Sequence, residues 1–522
     1  MKPKHEPSSA GQKVAGAIGW TVVPRAAQIL VSLGTSILIV RTLKEFDYGT
    51  LSVLRTILIL VTVVLGLGLG QAVNRFIPEL RVTNRRDEGR RLLYRSLLLQ
   101  VSVWALTCLG LLALRAPLDR AYPTYANLLL LGVFLSLSEV AAGTMNQYAI
   151  ASYRTREMAL ASGLGSLVLG AGTVALLQVG LRIPGVLVAS SAGFALNALA
   201  LMALLRRSRT GTTGTATVPT APAPGGETAP RPAGGEALSW RRLMTYALPW
   251  VPQYVLTFVI WRQSETLLLG IFRTREEAGF FDLAYKLPLL ILEFVPGAIY
   301  PLILAGFAET ATVARERMSA VIDMYYRFLF FVTAPLSLLG FAMGDVLLAR
   351  MYGESMAQGG PYCQAFFLVF AISFFGTPLS MTVFVIEKVW VNLLLSIGYG
   401  IITIALDLLL IPKYGLLGAT IPTAFVTILT PFVRYFIARR YLPDIRVPWG
   451  LIGRAYLAST PLLLLFWLKG WAQDLPRTAA LLLLAAAATL VSYRFARVLG
   501  RVERDFLGRS RIPGKERILR LL

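Results

Sequence analysis

The sequence holds little of the side-chain chemistry that enzymes most often use. Its 522 residues include one histidine, His5, and two cysteines, Cys108 and Cys363. His5 lies in a polar N-terminal tail, which excludes histidine catalysis, and both cysteines fall inside apolar runs. Two cysteines so placed give neither a disulfide framework nor a metal site. The chain has no G-x-x-x-x-G-K-[ST] sequence, so we expect no ATP-binding loop and no cofactor.

Charge is also scarce, and long apolar runs take its place. Charged residues make up 15% of the chain, against about 25% in ordinary soluble domains. Hydrophobic residues make up 56%, and the mean hydropathy is +0.63. This composition predicts an all-α polytopic membrane protein. The first apolar segment is too long for a cleavable signal peptide and lacks a small-residue cleavage site.

The apolar runs predict about fourteen transmembrane helices, since one span takes roughly 20 mostly apolar residues. They form two groups of six and a final pair. The predicted spans are 14–40, 50–73, 92–114, 123–149, 157–179, 184–205, 243–270, 279–307, 322–343, 361–386, 389–411, 415–437, 452–470 and 477–499.

The basic residues predict which ends of these spans face the cytoplasm. With a cytoplasmic N-terminus, 36 of the 51 Lys and Arg residues fall on the cytoplasmic side and 11 on the other side. Such an excess is typical of cytoplasmic loops. We therefore expect a multi-pass protein of the inner cell membrane with both termini cytoplasmic. The net charge of +23 then reflects topology and contacts with anionic membrane lipids, not nucleic-acid binding.

Composition also divides the chain into segments. Residues 208–239 are rich in Thr, Pro, Ala and Gly without apolar periodicity, which predicts a flexible cytoplasmic linker. The predicted organisation is a cytoplasmic tail (1–13), a six-helix bundle (14–207), the linker (208–239), a second six-helix bundle (240–440), a two-helix segment (441–499) and a basic cytoplasmic tail (500–522).

The two groups of six spans match weakly as an internal repeat. A shift of 230 residues places Gly49 on Gly279 and brings Arg55 within one residue of Lys286. Six spans return the chain to the side it started from, so both repeats enter the membrane from the same side. This predicts two six-helix bundles related by a pseudo-two-fold axis along the membrane normal, around a central cavity.

Two regions of the chain, the second made of two short stretches, carry a family resemblance. One is Ile411-Pro-Lys-Tyr-Gly-Leu-Leu-Gly-Ala-Thr420, where we expect Pro412 and Gly415 to break the helix and make its neighbours antiparallel. The other comprises Arg41-Thr-Leu-Lys-Glu-Phe-Asp-Tyr-Gly49 and Gly66-Leu-Gly-Leu-Gly-Gln71. Over roughly 14–440 the chain resembles the Wzx-type polysaccharide flippases of the MOP (MATE-like) superfamily.

The resemblance implies an alternating-access flippase. Its substrate would be an undecaprenyl-pyrophosphate-linked oligosaccharide, moved from the cytoplasmic to the outer leaflet for cell-surface polysaccharide biosynthesis. The peptidoglycan-precursor flippase of the superfamily is similar in having fourteen helices. By that analogy, spans 452–470 and 477–499 would line a groove for the lipid tail.

Four basic residues inside the spans are candidate contacts for the lipid-linked glycan: Arg25, Arg55, Arg262 and Lys286. Charges inside spans are costly and usually face a water-filled interior. Arg25 lies near the middle of its span and is the first candidate for the pyrophosphate. Arg55 and Lys286 have a second explanation in snorkelling to the outer surface, and Arg262 in neutralising Glu265 three residues away.

Buried acids are candidates for coupling transport to an ion gradient. The intramembrane acids are Glu139, Glu265, Glu293 and Asp407, and we single out Glu293 and Glu265. Such a carboxylate carries a proton or helps to hold Na⁺.

Two other functions remain open. One is export of drugs or other small molecules by a protein of the same superfamily, which predicts a net acidic cavity. The other is an enzyme of polysaccharide assembly, which needs a large outer loop with catalytic groups. The predicted outer loops are all short, and we expect a transporter rather than an enzyme.

Overall fold

The computed structural model describes most of the chain, and the described residues fold into helices without a β-strand. The described ranges are 8–82, 85–121, 125–152, 154–207, 239–261, 264–293, 318–385, 389–441, 445, 447–471 and 474–495. The predicted linker and the basic C-terminal tail lie outside these ranges, apart from Ser239.

Seven helices precede the linker. They are α1 (Ser8–Gly66), α2 (Leu69–Val82), α3 (Arg86–Ala113), α4 (Arg115–Ala121), α5 (Ala126–Ala151), α6 (Thr155–Gln178) and α7 (Arg182–Arg207).

The helices after the linker are shorter on average. They are α8 (Trp240–Ala247), α9 (Trp250–Trp261), α10 (Ser264–Phe272), α11 (275–293), α12 (Met318–Tyr352), α13 (Gly360–Ser373), α14 (Gly376–Val385), α15 (Val389–Tyr414), α16 (Leu416–Tyr441), α17 (Trp449–Ser459), α18 (Leu465–Leu468) and α19 (Leu475–Phe495). Three short 3₁₀ helices lie among them, at Glu354–Gly359, Thr460–Leu464 and Lys469–Trp471.

Ten helices in the described ranges are long and apolar enough to cross a membrane. The chain is therefore a multi-pass, all-α membrane protein, as its composition predicts. The predicted number of fourteen is not reproduced in these ranges, for identifiable reasons. Span 243–270 is divided among α8, α9 and α10, span 361–386 is divided between α13 and α14, and span 279–307 runs out of the described chain after residue 293.

The first two predicted spans are joined more closely than expected. Helix α1 runs through the predicted connection, and its only interruption is at Lys44, with φ 61° and ψ −171°. A real break comes later, at Leu67 and Gly68, both with positive φ. Span 50–73 therefore ends as a helix at Gly66, and α2 starts a new helix at Leu69.

The chain divides into two compact units whose boundaries do not coincide with the predicted linker. The N-unit comprises Val23–Leu43 and Leu51–Ser264, and the C-unit comprises Met1–Val22, Lys44–Thr50 and Glu265–Leu522. Residues 44–50 thus belong with the second half of the sequence, and helices α8 and α9 belong with the first.

In the N-unit, the helices that follow the linker pack on α2. Leu243 and Ala247 of α8 share a buried cluster with apolar residues of α2. The side chains of Phe76 and Tyr246 meet edge to face, with ring centroids 5.5 Å apart. Further along, the Gln71 amide donates a hydrogen bond of 2.6 Å to the Tyr254 hydroxyl.

In the C-unit, the final predicted pair of spans packs on α12. Leu462, Leu465 and Leu481 form a buried cluster with Ala342 and Met343 of α12. An ion pair of 2.8 Å between Lys469 Nζ and Asp345 Oδ2 fixes one end of this packing.

The expected hairpin after residue 411 is confirmed, with one correction. Helix α15 ends at Tyr414, Gly415 turns the chain with φ 54°, and α16 begins at Leu416. Pro412 does not break the helix but lies within its last turn. Proline is disruptive where it removes a helical hydrogen bond, and near a helix end few such bonds remain to be lost.

Candidate functional site

Glu265 lies at the start of α10 and is buried, with 2% of its surface exposed. Its Oε1 accepts a hydrogen bond of 2.7 Å from the Thr423 hydroxyl, which projects from α16. The same hydroxyl lies 2.8 Å from the Ala419 carbonyl. This hydrogen bond thus joins two helices of the C-unit, α10 and α16, that are distant in sequence.

Asp407, on α15, is fully buried. It lies close enough to Glu265 for the two carboxyl groups to interact electrostatically. Neither of its carboxyl oxygens has a hydrogen-bond partner among the described residues. One helical turn earlier, the buried Thr403 hydroxyl is also without a partner there. Residues four apart lie on one helix face, so Thr403 presents its oxygen beside Asp407. We call Glu265, Thr403, Asp407 and Thr423 the acidic cluster.

The acidic cluster holds two carboxyl groups that are both buried. Two neighbouring carboxylates are costly to bury without compensation. In the described part of the chain, no Lys or Arg forms an ion pair with Glu265 or Asp407. The cluster offers only oxygen ligands, from two carboxylates and two hydroxyls. Such ligands fit a proton or a hard cation better than a transition metal.

A second arrangement joins residues 44–50 to α11, and we call it the glycine junction. Its centre is the pair of repeat-related glycines: a Cβ added to Gly279 would lie 3.2 Å from Gly49 Cα. A Cβ added to Gly49 would collide with the backbone carbonyl of Arg275. The Arg275 guanidinium also lies over the Phe46 ring, 4.9 Å from its centroid. Only glycine permits an approach this close.

Lys286 has a partner at the edge of the glycine junction. Its Nζ lies 2.7 Å from Oδ1 of Asp282, which is buried with 1% of its surface exposed. Asp282 Oδ2 also accepts a hydrogen bond of 2.6 Å from the Tyr48 hydroxyl. The Lys286 side chain remains about half exposed, so its charge is partly neutralised but still accessible.

The structure does not bring the other predicted charges together. Arg55 is partly buried on α1, Glu293 is exposed at the described end of α11, and neither joins the acidic cluster. Arg25 lies in α1, but its side chain is outside the described part of the structure, and Arg262 is wholly outside it. The roles predicted for these residues stay predictions.

The sequence analysis named Asp407 as an intramembrane acid but did not select it. The available signal was Thr403 four residues before it, which places a hydroxyl on the same helix face. Thr423 had no such signal, because it meets Glu265 across 158 residues of sequence. The pairing of Lys286 with Asp282 was readable from their spacing of four residues.

The fold defines the class of protein. Its structure resembles the lipid II flippase MurJ in an inward closed conformation, with TM-score 0.64 and 12% identity, over 91% of this chain and 98% of that one. It also resembles an outward-facing multidrug resistance MATE transporter (TM-score 0.58, 12% identity, 84% and 99% coverage). A third similar structure is a MOP-superfamily transporter from Pyrococcus furiosus (TM-score 0.55, 14% identity, 84% and 99% coverage). The chain thus has the fold of the MOP superfamily.

The family follows from the sequence itself. The model of the polysaccharide biosynthesis protein family matches residues 15–305, more than half of the chain. The chain belongs to this family, which agrees with the Wzx-type resemblance of its sequence motifs. No curated protein matches the sequence.

Proposed function

We propose that this protein is a flippase for lipid-linked oligosaccharides. It would carry an undecaprenyl-pyrophosphate-linked glycan from the cytoplasmic to the outer leaflet of the inner cell membrane by alternating access. The observation that carries this proposal is the match to the polysaccharide biosynthesis family over 15–305 in a chain with the MOP fold. The orientation, with both termini cytoplasmic, is supported by the distribution of Lys and Arg.

In this proposal, basic side chains receive the pyrophosphate. Arg25, Arg55, Arg262 and Lys286 lie inside the predicted spans, where a central cation costs about 2.5–3.5 kcal/mol by insertion scales. An anionic substrate in a water-filled cavity offsets that cost. Lys286 supports the assignment best among the described residues, because its Nζ is anchored by Asp282 yet half exposed.

The acidic cluster is proposed to couple transport to a gradient of H⁺ or Na⁺. Glu265 and Asp407 are buried neighbours, and the described structure provides no basic partner for either. One cation, or one shared proton, relieves their repulsion. Glu293 remains the second proposed coupling residue, although it is exposed and away from the cluster.

The test is a flipping assay in proteoliposomes. A fluorescent undecaprenyl-pyrophosphate oligosaccharide is followed as it becomes accessible to a membrane-impermeant modifying reagent, with and without an imposed Na⁺ or H⁺ gradient. We expect the wild-type protein to move this substrate and a gradient to raise the rate. Glu265→Gln and Asp407→Asn should abolish that stimulation, because they remove the negative charge that attracts the cation.

The control is Glu354→Gln, which removes a carboxylate whose side chain is 73% exposed at the surface. It should behave as wild type, since exposed ion pairs contribute little. Absence of glycan movement together with export of an organic cation would replace our proposal by a multidrug exporter. If a gradient still stimulates transport in both Glu265→Gln and Asp407→Asn, the acidic cluster does not couple transport to the gradient. The proposal that the protein is a flippase would be unaffected.

A further inference from the structure

The N-unit contains a cavity of about 220 Å³ that the proposed transport does not use. It is bordered by α2, α3, α5 and α7. Its apolar wall includes Ile77, Leu80, Leu93, Leu97, Met145 and Met202. Small-molecule pockets usually measure roughly 300–1,000 Å³. The cavity is therefore suited to part of a molecule, such as a segment of hydrocarbon chain.

Polar and basic groups occupy the rest of the cavity lining. Arg90 and Arg154 are among the lining residues, together with Tyr94, Tyr148 and Ser152. Tyrosine is typical of the boundary between hydrocarbon and water in membrane proteins. The lining thus changes from apolar to basic and aromatic, which is the polarity profile of a membrane lipid.

Both guanidinium groups keep donors for a ligand. Arg154 Nη1 donates one hydrogen bond, of 3.3 Å, to the Leu205 carbonyl at the end of α7. Arg90 Nη1 lies 3.8 Å from Asp87 Oδ1, and the Asp87 side chain is 87% exposed. A pair so exposed is weak. Each guanidinium has five N–H donors, so most remain available for a phosphate group.

The side of the membrane on which the cavity is predicted to lie indicates which lipid it binds. Arg90, in the first turns of α3, and Arg154, directly before α6, lie in segments that the distribution of basic residues predicts to be cytoplasmic. Anionic phospholipids give that leaflet its negative surface, and basic pockets between transmembrane helices bind their head groups. The inference uses this predicted orientation but not the proposed glycan substrate.

We propose that this cavity is a binding site for one anionic phospholipid. A segment of an acyl chain lies among the apolar residues of the wall, and the phosphate lies against Arg90 and Arg154. The site holds α2, α3, α5 and α7 together from the inner leaflet. It is a resident lipid site within the N-unit, separate from the basic residues assigned to the transported pyrophosphate.

Native mass spectrometry of the full-length protein in detergent tests the proposal. Phosphatidylglycerol and phosphatidylcholine with the same acyl chains are added in turn, and the bound fraction of each is measured. We expect the wild type to prefer phosphatidylglycerol. Arg90→Gln with Arg154→Gln should lower phosphatidylglycerol binding by about 30-fold, the loss expected for two basic side chains near an anionic surface. Phosphatidylcholine binding should change little.

Three further variants show whether the effect belongs to this cavity. Arg439→Gln with Arg440→Gln removes two arginines from the last turn of α16 that are not among the residues lining the cavity, and it should leave binding intact. Arg90→Lys with Arg154→Lys keeps the charge and should retain most of the binding. Met202→Trp, which fills the cavity, should weaken both lipids.

Three results would overturn the proposal. Equal binding of the two lipids by wild type would leave only an apolar cavity without a head-group site. Displacement of phosphatidylglycerol by millimolar inorganic phosphate would identify a free-anion site instead. An equal loss in the Arg439 and Arg440 variant would mean that overall charge, and not this cavity, attracts the lipid.

Discussion

At the scale of single residues, buried carboxylates of the C-unit differ in what surrounds them. Asp282 meets a lysine and a tyrosine hydroxyl, at 2.7 and 2.6 Å. Glu265 meets a threonine hydroxyl, and Asp407 has no hydrogen-bond partner in the described chain. A carboxylate that already has an ion pair is suited to a structural role. One without such compensation is suited to bind and release a cation.

Tyr48→Phe tests the structural role of Asp282. The change removes one donor from a buried, charged acceptor and keeps the ring, so we expect a loss of about 1.5–3 kcal/mol of stability. The measurement is thermal unfolding of the purified protein in detergent. Tyr414→Phe is the matched control, because the Tyr414 side chain is exposed. Equal unfolding temperatures for the two variants would show that the Tyr48 hydrogen bond does not stabilise the glycine junction.

The residues of the acidic cluster and of the glycine junction were predictable from the sequence to different degrees. Lys286, Glu265 and Asp407 stand out in the sequence because charge is rare inside apolar runs. Their partners do not, since a hydroxyl such as that of Tyr48 is ordinary in a span and meets Asp282 only across 234 residues. Local spacing reveals contacts within one helix, whereas contacts between helices depend on the tertiary fold.

At the scale of elements, the turn between α15 and α16 depends on a glycine. Gly415 has φ 54°, a conformation that costs other residues about 1–2 kcal/mol. A Cβ there would also collide with the Glu277 carboxylate and lie 3.1 Å from Arg273 Nε. The hairpin therefore tolerates no side chain at this position without disturbing the neighbouring ion pair between Arg273 and Glu277.

We expect Gly415→Ala to lower the stability of the protein by at least the conformational cost of about 1–2 kcal/mol. Gly398→Ala, in the middle of α15, is the control because nothing lies within 4 Å of its added Cβ. Alanine favours a helix over glycine, so the control should be neutral or slightly stabilising. Thermal unfolding of both variants decides the matter. A Gly415→Ala protein as stable as Gly398→Ala would contradict the proposed need for glycine.

Helix breaks were only partly predictable. The sequence indicated Gly415 correctly, but it gave no warning at Lys44, a residue that rarely adopts positive φ. Pro249 lies between α8 and α9 and accounts for that break, because proline has no backbone N–H to donate to the helical hydrogen-bond ladder. Long apolar periodicity shows where spans run but not where tertiary contacts interrupt them.

At the scale of the whole molecule, orientation rests on the distribution of charge. Thr213 lies in the predicted cytoplasmic linker, and Asp474 precedes α19 on the side predicted to face outward. In a background with Cys108→Ala and Cys363→Ala, Thr213→Cys should react with an impermeant maleimide only after the cells are permeabilised. Asp474→Cys, at an exposed position, should react in intact cells. Reaction of Thr213→Cys in intact cells would reverse the predicted topology.

The sequence predicts the membrane class and the family well, because both depend on composition and on motifs spread along the chain. It does not predict the division into units. Composition places a boundary at the linker, whereas the structure passes from the N-unit to the C-unit between Ser264 and Glu265. Packing of α8 and α9 with α2 produces this difference, and such packing has no local signal in the sequence.

Glu265 therefore lies at a boundary between the two units as well as in the acidic cluster. The peptide bond before it is one of four places where the chain passes between the two units. If the proposed alternating access shifts this bond, the affinity of the acidic cluster for the proposed coupling cation changes with it. Thermodynamic reciprocity then requires that cation occupancy bias the movement by the same factor.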